Sequence, residues 1–167
     1  SADATAININ SSENVGIGVV PKTWNSNNQA LQVGSAGCLF ASTNNSFMGL
    51  AANAYYDATN SRYEYINADF STLYQQLDGT HTWSTAASGS ADGAITFSEV
   101  MKIDATGAIT KPLQPYFLVY PSSTQSNISN SGYETIAFGS ETFDVGSNFA
   151  SNTFTAPTTG VYHFTVN

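Results

Sequence analysis

The chain of 167 residues is long enough for one or two domains, and its 41% hydrophobic residues suffice for a core. It carries 12 Asp and Glu against 4 Lys and Arg, which gives a net charge of -8. So few cations argue against binding to nucleic acid or to an anionic membrane surface. The single cysteine, Cys38, excludes a disulfide within the chain, and its apolar neighbours favour a buried thiol.

The first predicted element is a strand–turn–strand pattern at residues 7–15, which returns at residues 101–109. Each copy has two alternating apolar residues, then Asn or Asp, a short polar turn and a β-branched residue. Such an element has only a narrow apolar face and cannot bury it alone. We therefore expect three parallel copies of the chain to bury these side chains around a common axis. The residues of this part of the chain that we assign to the trimer core are Ile7, Ile9, Ile17, Met101, Ile103 and Ile109.

Between the two copies, short alternating segments are frequent and helical periodicity is almost absent. Asp78-Gly79 and Asp92-Gly93 are typical of turns, as are two later dipeptides that end in glycine. The pattern predicts an all-β protein with well under about a fifth of its residues in helices. The expected exception is a short helical turn at residues 23–28, after a proline.

Aromatic residues cluster in this first part of the chain and allow two explanations. Exposed aromatic faces on a sheet stack on sugars, whereas buried ones form the core and rim of a trimer. Tyr55, Tyr56 and Tyr63 are the candidate accessory contacts to a receptor. The full cluster is Trp24, Tyr55, Tyr56, Tyr63, Tyr65, Tyr74 and Trp83.

Several short pieces follow one another between residues 14 and 104, among them Asn14-Val15-Gly16-Ile17-Gly18, residues 62–66 and Gly79-Thr80-His81-Thr82-Trp83. Their order together resembles repeats in bacteriophage tail fibres. The resemblance covers most of residues 1–111 and implies a trimeric, β-rich fibre shaft. Prolines at positions 112 and 115 make a stiff connector, at which we place the boundary to a second domain, residues 112–167.

In the second domain, the run Phe154-Thr155-Ala156-Pro157 followed by Gly160, Tyr162 and Phe164 resembles the signature of C1q/TNF-like jelly rolls. The resemblance implies the N-terminal part of a trimeric binding domain, with Tyr162 and Phe164 in the trimer core. We expect strands at residues 116–120 and 159–166 and an edge segment at 135–138. The usual size of the family implies that the native chain continues for on the order of 70 residues, which would carry most receptor contacts.

We identify no catalytic set in the sequence. His81 and His163 have no metal-ligand spacing; the first is expected beside a turn and the second in a strand. The acids Asp57, Glu64 and Asp69 offer carboxylate pairs for glycan cleavage, but a solvated or cross-strand Arg62–Glu64 pair explains Glu64 more simply.

The sequence therefore predicts a non-enzymatic protein with no cofactor and no metal, although C1q-like domains often hold Ca²⁺. The function expected from the resemblances is that of a structural and adhesive segment of a phage tail fibre. Its expected partners are two further copies, other virion tail proteins and a host cell-surface receptor such as a glycan, with no nucleic acid and no membrane insertion. The expected location is the virion tail, outside the cell. The alternatives are a trimeric tailspike-type glycan hydrolase and a non-viral extracellular C1q-like adhesin.

Overall fold

The computed structural model describes residues 6–166 and is all-β: strand residues make up 43%, and the described residues contain no helix. This confirms the predicted all-β class. The fifteen strands are β1 (Ile7–Ile9), β2 (Val15–Ile17), β3 (Asn28–Val33), β4 (Gly37–Ser42), β5 (Phe47–Ala52), β6 (Ala54–Tyr56), β7 (Tyr63–Tyr65), β8 (Ser71–Leu77), β9 (Thr80–Ala86), β10 (Ser98–Ile103), β11 (Ile109–Thr110), β12 (Tyr116–Tyr120), β13 (Ser140–Val145), β14 (Phe149–Ala150) and β15 (Thr153–Phe154).

The chain forms two compact units, Ser1–Lys111 and Pro112–Asn167. The helical turn expected at residues 23–28 is wrong. These residues make a tight turn instead, in which Asn28 N–H donates to the carbonyl of Asn25 (2.9 Å) before β3 begins. Polar residues that bond their own backbone favour such a turn over a helix.

Nine strands of the first unit form one sheet, in the order β1-β2-β3-β4-β5-β8-β9-β10-β11. Neighbouring strands are antiparallel except β2 and β3, which are parallel. Asp78 and Gly79 join β8 to β9 with φ values of 49° and 78°. Both values are positive, as a two-residue hairpin turn requires and as Asp-Gly favours. The turn predicted at this dipeptide is confirmed, and it places Tyr74 opposite Trp83.

The two copies of the strand–turn–strand pattern form hairpins with the same hydrogen bonds. Asn10 Oδ1 accepts from the backbone N–H groups two and four residues further on (both 3.0 Å), and Asp104 Oδ1 does the same (2.8 and 3.0 Å). Equivalent turn positions are held by Glu13 and Gly107, with φ values of 61° and 89°. The first hairpin, β1–β2, lies at one edge of the sheet and the second, β10–β11, lies at the other.

One face of this sheet, called the inner face, is covered and forms the core of the first unit. The β6–β7 hairpin contacts β4 and β8 on this side. Trp24 and Phe40 are both 1% exposed, and their ring centroids lie 4.8 Å apart. A methyl group at Gly49 would overlap the ring of Phe40. The core residues are Trp24, Ala30, Cys38, Phe40, Ala51, Ala54, Tyr55, Ile66 and Leu73.

The second unit has two pairs of antiparallel strands, β12 with β13 and β14 with β15. The strand predicted at Tyr116–Tyr120 is confirmed. The edge segment predicted at residues 135–138 and the inner strand predicted at residues 159–166 are wrong, since neither segment pairs with a neighbouring strand. A strand requires a neighbour for its backbone hydrogen bonds, and β12 pairs with residues 140–145 instead. The structure also leaves Phe164 57% exposed and Tyr162 half-buried, rather than buried in an inner strand.

Candidate protein interface

The face of the nine-stranded sheet opposite the core, called the outer face, is defined by the strand register. Residues directly opposite each other on neighbouring strands share a face, and every second residue along a strand returns to it. Leu50 on the central strand, for example, lies opposite Leu39 on one side and Tyr74 on the other. The outer-face positions are Ile7, Ile9, Val15, Ile17, Gln29, Leu31, Val33, Gly37, Leu39, Ala41, Met48, Leu50, Ala52, Thr72, Tyr74, Gln76, His81, Trp83, Thr85, Ser98, Met101, Ile103 and Ile109.

The outer face is mainly apolar and holds no Asp, Glu, Lys or Arg at its strand positions. Large aliphatic side chains are nevertheless open to solvent on it, among them Ile9 (70% exposed) and Leu50 (55%). Single exposed apolar residues are ordinary on protein surfaces, but a contiguous patch of this extent marks an interaction site. The outer face is therefore the candidate functional site of the first unit.

All six shaft residues predicted for a trimer core lie on the outer face. Ile7 pairs with Ile17 at one edge of the sheet, and Ile103 pairs with Ile109 at the other. Ile9 and Met101 complete the set. The chain's own core leaves Ile7, Ile9, Ile17 and Ile109 exposed and the other two half-buried. Their contact with a neighbouring chain stays a prediction.

Sequence reasoning missed the middle of the outer face, which includes Leu31, Leu39 and Leu50. The strand Gly37–Ser42 is apolar at consecutive positions, since Cys38 and Phe40 face inward while Leu39 faces outward. A strand that is apolar on both faces shows no alternation, so its pattern cannot identify the covered side. The register with neighbouring strands was needed to join these residues into one surface.

Three aromatic rings form a stack on the outer face, beside the central strand. Tyr74 on β8 lies 5.0 Å from Trp83 on β9, measured between ring centroids. His81, two residues before Trp83, lies 6.1 Å from Tyr74 and is inclined to it by only 20°. The hydroxyl of Tyr74 is hydrogen-bonded to Nδ1 of His81 (2.7 Å). His81 flanks the Asp78-Gly79 turn, as the sequence predicted, and its ring also belongs to this aromatic surface.

A polar network lies beneath the inner face and centres on Glu64, which is 2% exposed. Its carboxylate accepts hydrogen bonds from Tyr55 Oη, Asn60 Nδ2 and Arg62 Nε, each of 2.9 Å. The expectation of a solvated Glu64 is wrong, although the pairing with Arg62 is formed. Burial of the carboxylate is tolerated because three donors replace water.

The prediction that Tyr55 contacts a receptor is wrong, because Tyr55 is 4% exposed and belongs to the core. Burial raises the pKa of its hydroxyl, and the hydrogen bonds to Glu64 and Asp92 raise it further. Asp92 also accepts from Lys22 Nζ (2.6 Å). That bond, with the one from Tyr55, lowers the pKa of Asp92. The network ties the loop that contains Asp92 to the core, and two carboxylates share one phenol proton.

The other two candidate receptor contacts, Tyr56 and Tyr63, are half-buried and pack edge to face with centroids 5.0 Å apart. The hydroxyl of Tyr56 donates to the carbonyl of Ser61 (2.6 Å). Burial is the main cause of the raised pKa of Tyr63. Both rings therefore serve the core in part, and only their outer portions reach solvent.

The other candidate acids hold the backbone of their own loops. Asp57 accepts from the N–H groups of Thr59 and Asn60 (2.9 and 2.6 Å), and Asp69 accepts from that of Phe70 (2.8 Å). These bonds are typical of turn-forming carboxylates rather than of a pair set across a sugar. Within residues 6–166 we find no group of three or more His, Cys, Asp or Glu placed to hold a metal ion.

The two remaining single candidates behave differently. His163 is exposed and lies outside any strand, so its predicted strand setting is wrong for the same reason as that of residues 159–166. Cys38 is 2% exposed on the inner face, and burial raises the pKa of its thiol to about 12. The predicted buried thiol is confirmed, and it is protonated and unreactive at neutral pH.

In the second unit, aromatic rings line an open groove. Phe117 on β12 lies 4.9 Å from Phe149 and 5.2 Å from Phe154, and Phe164 lies 5.5 Å from Phe154. Residues 161–166 form one wall of the groove and β12 forms the other. Tyr162, half-buried, packs on Phe154 (5.1 Å). Whether Tyr162 and Phe164 take part in a trimer core stays a prediction.

Comparison of the chain with protein-family models, with curated proteins and with solved structures finds no match. Across residues 6–166, no helix has the length and apolar character needed to cross a membrane. The outer face and the sequence resemblances are therefore the features of the chain that bear on its function.

Proposed function

We propose that this protein is a structural and adhesive segment of a bacteriophage tail fibre, assembled as a parallel homotrimer through its outer face. Its partners are then other proteins of the virion tail and a host cell-surface receptor such as a glycan, and its location is the virion tail, outside the cell. The observation that carries the proposal is the uncharged apolar surface of the nine-stranded sheet. The resemblance of the shaft to tail-fibre repeats and of residues 154–164 to C1q-like domains supports it.

The size of the outer face suits a stable protein interface. Nine strands span roughly 38 Å at about 4.8 Å per neighbouring pair, and about five residues per strand add roughly 17 Å. The product, roughly 650 Å², is close to the area of about 800 Å² per partner in a standard interface. Leaving the apolar part of such an area in water would cost on the order of 10 kcal/mol.

Further copies of the same chain suit this surface better than a charged partner does. The outer-face strands offer no fixed charge that would steer or orient an acidic or basic protein. In a parallel trimer, three outer faces turn toward one axis and cover each other, which closes the assembly. The side chains at both edges of the sheet, Ile7 and Ile109 among them, are then removed from water.

The mass of the protein in solution tests this proposal. A trimer of 17.7 kDa chains has a mass of about 53 kDa, three times the chain mass. The variant Leu50→Asp places a charge at the centre of the outer face and should give single chains that keep the β-sheet circular dichroism. Ser26→Asp, which adds the same charge to an exposed turn, should remain trimeric. A wild-type mass of 17.7 kDa at every concentration would overturn the proposal.

The alternative of a tailspike-type glycan hydrolase has one observation in its favour, the buried carboxylate of Glu64. All three of its donors belong to the chain itself, which favours a structural role. We expect no oligosaccharide to be released from bacterial surface polysaccharide. Release that is lost in Glu64→Gln but kept in a folded control, Glu134→Gln, would establish the enzyme instead.

The other alternative, a non-viral C1q-like adhesin, would also be a trimer but would not be part of a virus particle. The two are separated by locating the protein in purified phage particles with an antibody against the chain. Under our proposal Tyr56 and Tyr63 remain accessory receptor contacts, since part of each ring reaches solvent. Tyr56→Ser should then weaken adsorption to host cells only a few-fold, as befits a half-buried contact outside the centre of an interface.

A further inference from the structure

The aromatic stack of Tyr74, His81 and Trp83 is the part of the outer face best suited to anchor another copy. It lies beside the central strand, where Tyr74 is opposite Leu50. A shallow hollow adjoins the stack, floored by the small side chains of Ala52 and the neighbouring threonines. Interfaces are anchored by Tyr and Trp side chains near their centre, set beside hollows that a partner fills. This step rests on the proposed function, in which copies of the chain cover the outer face.

His81 introduces an ionisable group into this otherwise uncharged surface. From β8 it is faced by Tyr74 and Gln76, and from β10 by Ile103, which lies opposite it. Two carboxylates flank these strand positions: Asp78, in the exposed turn before β9, and Asp104, which follows Ile103 and whose Oδ1 already accepts bonds from its own turn. Neither forms an ion pair with His81 in the part of the chain that the structure describes. A proton gained by His81 therefore has no opposite charge beside it.

We infer that protonation of His81 weakens the contact between copies, so that assembly of the protein is sensitive to pH. Histidine is the side chain that changes charge between about pH 5 and pH 8. The neutral ring can accept a hydrogen bond from Tyr74 and enter an apolar interface at small cost. The charged ring must give up its water without compensation, which is far more costly.

Attraction between the charged ring and the neighbouring aromatic faces does not offset this cost. Such cation–π contacts act within about 6 Å of the ring centroid. The ring centroid of His81 lies 6.1 Å from that of Tyr74 and 6.4 Å from that of Trp83, at the limit of this range, and its plane is nearly parallel to both rings. At these distances the attraction is weak beside the cost of removing water from the charged ring.

The inference is tested by measuring, at pH 8 and at pH 5, how the full chain is distributed between single chains and trimers over a range of concentrations. We expect the concentration of half-assembly to rise about tenfold or more at pH 5, while the β-sheet circular dichroism stays unchanged. His81→Gln, which keeps a polar side chain but cannot gain a proton, should remove most of this rise. His163→Gln, a change in the second and exposed histidine, should leave it intact.

The outcomes separate the inference from the proposed function. A trimer that is equally stable at both pH values, or a rise that persists in His81→Gln, overturns the pH sensitivity and leaves the trimer standing. Single chains at both pH values overturn both, because there is then no contact to regulate. If His81→Gln does not fold, His81→Phe supplies a second uncharged ring of similar shape, with the same expected loss of pH dependence.

Discussion

The two faces of the nine-stranded sheet are built from the same strands, but one is buried and the other is exposed to solvent. On β4, Phe40 is 1% exposed on the inner face, while its neighbour Leu39 is 43% exposed on the outer face. The inner face is covered by the β6–β7 hairpin and by Trp24, and the outer face is covered by nothing within the described chain. The difference teaches that this chain stabilises its own fold with half of its sheet. We propose that the other half contacts further copies of the chain.

The largest difference between the faces should appear in the free energy of unfolding. Phe40→Ala removes a ring packed on Trp24, Phe47 and Tyr63, and should cost about 3–5 kcal/mol. Leu39→Ala, one residue away, should cost less than about 1 kcal/mol in the separated chain, because Leu39 already contacts water. Urea unfolding at a concentration below assembly measures both. Equal losses would mean that the faces do not differ as described.

Adding side-chain volume should have the next largest difference in effect between the two faces. Gly49→Ala places a methyl group against the ring of Phe40 and should destabilise the chain by about 1–3 kcal/mol. Ala52→Val adds more volume to the same strand, but on the exposed outer side, and should change the free energy of unfolding by less than about 0.5 kcal/mol. A stable Gly49→Ala variant would show that the core beneath β5 is looser than the structure has it.

The buried carboxylate should matter less than the core rings. Glu64→Gln keeps the shape of the side chain but weakens the bonds from Arg62 and Asn60, at a cost of about 1–3 kcal/mol. Glu134→Gln, which neutralises an exposed acid, is the matched control and should be neutral within about 0.5 kcal/mol. Thermal unfolding of the two variants side by side decides whether the network contributes to stability.

The smallest expected effect is the pH dependence that Asp92 adds. Its pKa is lowered from 3.8 in the folded chain, chiefly by the hydrogen bond from Lys22. The carboxylate therefore contributes stability above about pH 4 that is lost as the pH falls through its folded value. Asp92→Asn should flatten this acid-side loss without changing the fold, and the exposure of Asp92 keeps the effect small. An unchanged slope of unfolding free energy against pH would contradict the assignment.

The all-β class and the matching hairpins could be predicted because they depend on local patterns. The alternation in Ile7–Ile9 predicts a strand from three residues, and the dipeptide Asp78-Gly79 predicts a hairpin turn from two. The extent of the outer face could not be predicted. Where consecutive residues such as Cys38 and Leu39 are both apolar, the sequence does not show which of them faces the core until the strand register is known. Burial of Tyr55 was missed for a related reason, since its partners Glu64 and Asp92 lie distant along the chain.

The second unit shows the opposite failure. Its aromatic pattern at Tyr162 and Phe164 alternates as an inner strand should, yet no neighbouring strand within the described residues pairs with that segment. Local pattern is therefore not sufficient where the ladder that completes a strand is lacking. In the first unit the same pattern succeeded because β1 and β10 each have a hairpin partner close in sequence.

Thiol labelling at two adjacent residues tests the central claim, that the outer face joins copies of the chain, most directly. Cys38 on the inner face should stay unlabelled in the folded wild type at every protein concentration. In the variant Cys38→Ser with Leu39→Cys, the new outer-face thiol should be protected at high concentration and should react freely on dilution below assembly. Free reaction of that thiol at every concentration, with the chain folded, would contradict the account.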